Sequence, residues 1–87
     1  MRDAALCSWL SVRLDALADD AERAALVLTQ CVATVAWYER LHKRPADLGE
    51  VRQRLDVLVA ILEKHLGRSL LDAAATLDPV SRLPTAR

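Results

Sequence analysis

Glu39 and His42 stand three residues apart in the stretch CVATVAWYERLHKRP, residues 31 to 45. On a helix this Glu-x-x-His spacing puts a carboxylate and an imidazole on one face, the arrangement from which helical bundles build metal sites. A complete site needs a further carboxylate and a second Glu-x-x-His. The remaining candidates, Glu63 and His65, are spaced Glu-x-His and point to different sides, with Leu62 where the second glutamate would stand. Cys7 and Cys31 are the two cysteines, too far apart on one helix to bond to each other. No Cys-x-x-Cys and no Cys/His set at zinc spacing occurs.

Other chemistries find less support. The serines at 8, 11, 69 and 81 lack a nucleophile elbow, and the two glycines, Gly49 and Gly67, cannot form a phosphate loop. Arg40, Lys43, Arg44, Arg52 and Arg54 gather near Pro45, but Glu39, Asp47 and Glu50 lie among them. Twelve acids balance twelve bases over the whole chain, so there is no general attraction to nucleic acid or anionic membrane. The composition excludes a disulfide scaffold, and no apolar run is long enough for a membrane span. The expected setting is cytoplasmic, and the Ala, Leu and Arg usage is that of a GC-rich bacterium.

Positioning these residues is the task of long helices. Residues 3 to 43 contain no Gly or Pro and are dense in Ala and Leu. Cys7, Leu10, Leu14, Leu17, Ala21, Ala24, Leu28, Cys31, Val35, Tyr38 and His42 follow one another at alternating steps of three and four, an unbroken heptad seam. The pattern predicts one helix over about 3–43, roughly 60 Å long. Pro45 turns the chain, with Asp47 and Glu50 as a capping box. Leu48, Val51, Leu55, Leu58, Leu62 and His65 predict a second helix over about 46–66, and Gly67 followed by Ser69-x-x-Asp72 predicts a third over about 69–77. Residues 1–78 are expected to form a single helical domain and 79–87 a flexible C-terminal tail.

The predicted fold is therefore all-α: a long antiparallel helical hairpin with a short third helix. The second helix can cover only the C-terminal half of the first. The uncovered seam, Leu10, Leu14, Leu17, Ala21, Ala24, Leu28 and Val35, predicts a homodimer, most simply a four-helix bundle. Trp9 and Trp37, four heptads apart on one flank, and the bases Arg40, Lys43 and Arg44 are the candidate partner-binding residues. The acidic run Asp15, Asp19, Asp20 and Glu22 is expected to meet the basic turn of a second chain. These features point to a non-catalytic helical assembly or partner-binding protein, such as an accessory subunit, adaptor or antitoxin-like regulator, with no cofactor. Two other readings are a metal-binding, ferritin-like oligomer using Glu39 and His42, and a small DNA-binding regulator using the basic turn.

Overall fold

The computed structural model describes residues 2–75, all helix and connecting turn. The helices are α1 (Ala4–Asp15), α2 (Ala21–His42), α3 (Glu50–Leu66) and α4 (Leu70–Ala74). α2 is the central element: α1, α3 and α4 all pack on it, and α1 also meets α3. The body measures 34 × 25 × 19 Å.

The all-α architecture agrees with the sequence pattern; the single first helix does not. The predicted rod of roughly 60 Å is broken at residues 16–20, and α1 folds back along α2. Ala16 leaves helical geometry at φ −104°, ψ 17°, and Asp20 caps α2 by accepting from the Glu22 N–H at 2.9 Å. Glu22 adds a negative charge to the first turn, which suits a helix N-terminus. Breaking the helix frees a few exposed backbone groups that water rehydrates, at about 0.5–1.5 kcal/mol per lost bond. In return Leu6, Leu10 and Leu14 become buried, each worth about 1.5–3 kcal/mol. The burial term is the larger.

The seam is accordingly an internal one. Leu10, Leu14, Ala24, Leu28, Cys31, Val35 and Tyr38 lie in the core, and Leu17 is half-buried against it. The chain's own α1 covers what a second subunit was expected to cover. α3 contributes Leu55 and Val59, the α2–α3 turn contributes Ala46 and Leu48, and α4 contributes Leu70.

The α2–α3 connection is longer than the pattern suggests. α3 starts at Glu50, not at 46, and its N-cap is Gly49, with no side-chain cap; the Asp47 capping box does not form. Asp47 instead uses its backbone N–H and C=O to bind Asp3. Residues 43–49 thus make a shaped loop that drops Leu48 into the core. Gly67 breaks the chain as expected, in the left-handed region at φ 69°. Ser69 then caps α4 by accepting from the Asp72 N–H at 3.2 Å. The predicted third helix is shorter than its span: residues 76 and 77, the end of the 1–78 domain and the 79–87 tail lie outside the described residues.

Two backbone positions carry opposite expectations. Lys43 closes α2 in the left-handed region at φ 54°, ψ 38°, a conformation that favours glycine. Gly49 sits at φ 58°, ψ −134°, and a Cβ there would lie 2.5 Å from the Arg2 guanidinium carbon. Lys43→Gly is expected to stabilise the fold by about 0.5–1 kcal/mol and Gly49→Ala to destabilise it by about 1–3 kcal/mol. Urea denaturation of both variants checks this; equal shifts of one sign would contradict it.

Candidate functional site

The charged residues near the turn at Pro45 hold the fold together. Asp3 precedes α1 as its N-cap; its carbonyl accepts from the Cys7 N–H at 3.0 Å, but its side chain makes no capping bond. Its carboxylate accepts from the Tyr38 hydroxyl at 2.9 Å, from the Asp47 N–H at 2.6 Å, and from both terminal nitrogens of Arg44 at 2.7 and 3.1 Å. The Asp3 N–H donates in turn to the Asp47 carbonyl at 2.9 Å. Only 8% of the Asp3 side chain is exposed. The Arg44 hydrogen bonds, with the Asp47 N–H, hold the Asp3 carboxyl far below the usual carboxylate range. Arg44 is held protonated more firmly by the same contact, and burial, with the Asp3 charge, raises the Tyr38 phenol.

Glu39 has a comparable duty. Its Oε2 accepts from the Ala46 N–H and from Arg52 Nη2, each at 2.8 Å, and its carbonyl accepts from the Arg44 N–H at 3.2 Å. One residue therefore shapes the loop and ties it to α3. His42 is exposed and lies against Tyr38, with ring centroids 4.2 Å apart. Among the described residues no group of three His, Cys, Asp or Glu side chains is placed to hold a metal ion. The Glu-x-x-His spacing is real, but its carboxylate already serves the turn.

Two residues of the acidic run form ion pairs within the chain, one of them with the basic turn. Asp15 meets Arg54 at 2.7 Å and Glu22 meets Arg68 at 2.8 Å. The Arg68 contact lowers the Glu22 carboxyl. With Arg44 on Asp3 and Arg52 on Glu39, three of the five bases expected to form an electropositive patch are neutralised internally. Both cysteines are free. Cys31 is fully buried, and burial pushes its thiol up to about 11. Burial also raises the half-buried Cys7, whose Sγ lies 3.5 Å from the Leu48 carbonyl. Neither thiol is activated.

The expected partner-binding residues divide into two groups. Trp9 belongs to the core, with the Arg13 guanidinium 4.1 Å from its ring centroid, and Arg44 is committed to Asp3. Trp37 remains half-buried, while Arg40 and Lys43 are exposed with no ion pair among the described residues. These three lie toward the outer side of α2. Leu26 and Leu41 share that side, eleven residues before and four after Trp37, and are 66% and 54% exposed. Alongside runs an open groove between α2 and α4, about 240 Å³, lined by Val32, Ala33, Ala36, Arg40, Leu71 and Ala74. A second cleft of about 330 Å³ opens between α2 and α3, sharing Val32, Ala36 and Leu71. Leu71 stands exposed between them.

Leu26, Leu41 and Leu71 escaped the sequence reading because heptad counting ranks seam positions first. Their signal was faint: Leu26, Trp37 and Leu41 form a second stripe of period 3.6 opposite the seam. Asp3 gave no signal at all. Its partner Arg44 is 41 residues away, and only the reversal at 16–20 brings them together.

The Asp3 cluster sets an acid limit on the fold. Its ionised form is favoured in the folded chain relative to the unfolded one, so its contribution is full above about pH 4 and is lost as pH falls below that. Thermal melts between pH 6 and pH 2.5 should show wild-type stability dropping in acid, with a shallower drop in Asp3→Asn. Asp3→Ala should lower stability at neutral pH by about 2–3 kcal/mol. Parallel acid profiles for wild type and Asp3→Asn would refute the assignment.

Comparison of the chain with known protein families, with curated proteins and with solved structures yields no match.

Proposed function

We propose that this chain is a non-catalytic helical partner-binding protein whose docking face is the outer side of α2 with the adjoining α2–α4 groove. One observation carries the reading: Leu26, Trp37 and Leu41 form an incompletely covered apolar stripe on the helix that organises the whole body, flanked by two cations without ion pairs among the described residues, Arg40 and Lys43. Large exposed apolar residues on a common face mark interaction sites more often than isolated ones do. Leu71 borders the groove as a third leucine anchor.

The chemistry of the face defines its partner. An apolar stripe with a shallow groove suits an amphipathic helix, and unpaired cations at one end suit an acidic flank on that helix. In the α2–α3 cleft, two of the three lining carboxylates, Glu39 and Glu63, accept the backbone N–H groups of Ala46 and Leu70, each at 2.8 Å, which leaves Asp56 as the third. Neither the metal-binding nor the nucleic-acid reading gains a specific observation. No helix among the described residues is long and apolar enough to cross a membrane. Two free thiols fit a cytoplasmic setting.

The test is site-specific photo-crosslinking in extracts of the source organism. A benzoyl-phenylalanine at Leu41 or Leu71 should give one discrete adduct, whose linked peptide is an acidic amphipathic helix. The same group at Gln53, on exposed α3, should give none, and Arg40→Glu with Lys43→Glu should suppress the Leu41 adduct at least about tenfold. Equal labelling from Gln53, or no adduct from the α2 face, removes this reading.

A further inference from the structure

The sequence and the structure disagree about residues 16–20, and the disagreement is informative. The heptad seam passes through the break without slipping: Leu14, Leu17, Ala21 and Ala24 keep steps of three, four and three. No Gly or Pro marks the reversal. Ala16 and Ala18, strong helix formers, occupy it. Ala16, Ala18, Asp19 and Asp20 are exposed, so within the bend only the half-buried Leu17 reaches the core. What holds it locally is the Asp20 cap at 2.9 Å and a long Ala16 N–H to Arg13 carbonyl bond at 3.3 Å.

The groups that receive α1 belong to other elements. Its N-terminal end is bound by Tyr38, Arg44 and Asp47, and its C-terminal end by Arg54. Leu6, Trp9, Leu10 and Leu14 fill the core beside α2. None of these receiving groups lies in the hinge, so α1 of a second copy can make every one of the contacts.

We infer that the chain also forms a domain-swapped homodimer, in which residues 16–20 straighten and α1 and α2 become one helix. Each α1 then docks on the partner's α2 and α3. Pairing Asp3 with the level of Tyr38, as the structure does, places the two-fold axis near Ala21. Small Ala21 and Ala24 would let the two long helices approach closely there. The swapped form keeps the α1 contacts, regains the backbone hydrogen bonds of the hinge, and loses the Asp20 cap and the freedom of two separate chains. Its population rises with concentration. This interface lies on the inner face of α1 and α2 and does not depend on the α2 docking face.

Sedimentation and cross-linking test it together. Wild type incubated at about 1 mM should contain a dimer that dissociates slowly on dilution. Asp20→Ala removes the cap, by about fivefold per hinge, and should strengthen the dimer by roughly 25-fold. Ala18→Pro blocks the straight helix and should abolish the dimer. Should that variant not fold, cross-linking decides alone. In a Cys7→Ser background, Arg2→Cys with Asp47→Cys replaces an exposed ion pair at the far end of α1. A short bis-maleimide should join these positions within one chain in the monomer and between chains in the dimer. Exclusively monomeric wild type and Asp20→Ala at 1 mM, or a dimer whose link stays within each chain, would overturn the inference.

Discussion

The structure depends on covering the apolar stripe of α2 on three sides. A helix of 22 residues carrying Leu28, Cys31, Val35 and Tyr38 along one face has no stable existence alone in water. α3 covers one flank and α4 another, but α3 shows only two buried side chains, Leu55 and Val59. The remaining cover comes from α1, with Leu6, Trp9, Leu10 and Leu14. Every other feature follows from laying that segment down: the reversal at 16–20, the Asp15–Arg54 contact at one end, and the Asp3 cluster at the other.

Charge then fixes what apolar burial leaves loose. Leucine seams tolerate sliding by a heptad; a carboxylate with four donors around it does not. Asp3 selects one register of α1 against the α2–α3 turn, and Glu39 selects one shape of that turn by accepting from Ala46 and Arg52. The zero net charge noted in the sequence is thus partly a record of internal pairing. It explains why a cluster of bases at the turn offers so little free positive potential.

Local rules were read well from the sequence where one short segment decides the outcome. The Gly67 break, the Ser69 cap and the helix content all rest on such segments; of the seam expected between subunits, Leu10, Leu14, Ala24, Leu28 and Val35 are buried within the chain, while Leu17 and Ala21 are half-buried. Periodicity alone does not carry the step from a seam to its partner. Heptad spacing states that Leu10 and Leu14 are buried, but not whether the covering surface belongs to the same molecule. A five-residue reversal with good helix formers leaves no trace in periodicity, since its stabilisation comes from distant burial. The candidate site shows the same limit: Trp9 and Trp37 share a flank in a straight helix, yet the fold buries the first and leaves the second half-buried.

The left-handed Lys43 gives the α2 C-terminus a further property. Because its carbonyl-rich end is closed by backbone bonds from residues 43 and 44 to Glu39, the helix cannot extend into the loop. The other end of α2 has no such stop, only an exposed aspartate cap that competes with helix continuation. The central helix is therefore polar in its mechanics: fixed in length at its C-terminal end and extensible at its N-terminal end. Under the inferred straightening of residues 16–20, α2 would lengthen toward α1 while the turn at Pro45 keeps its backbone bonds.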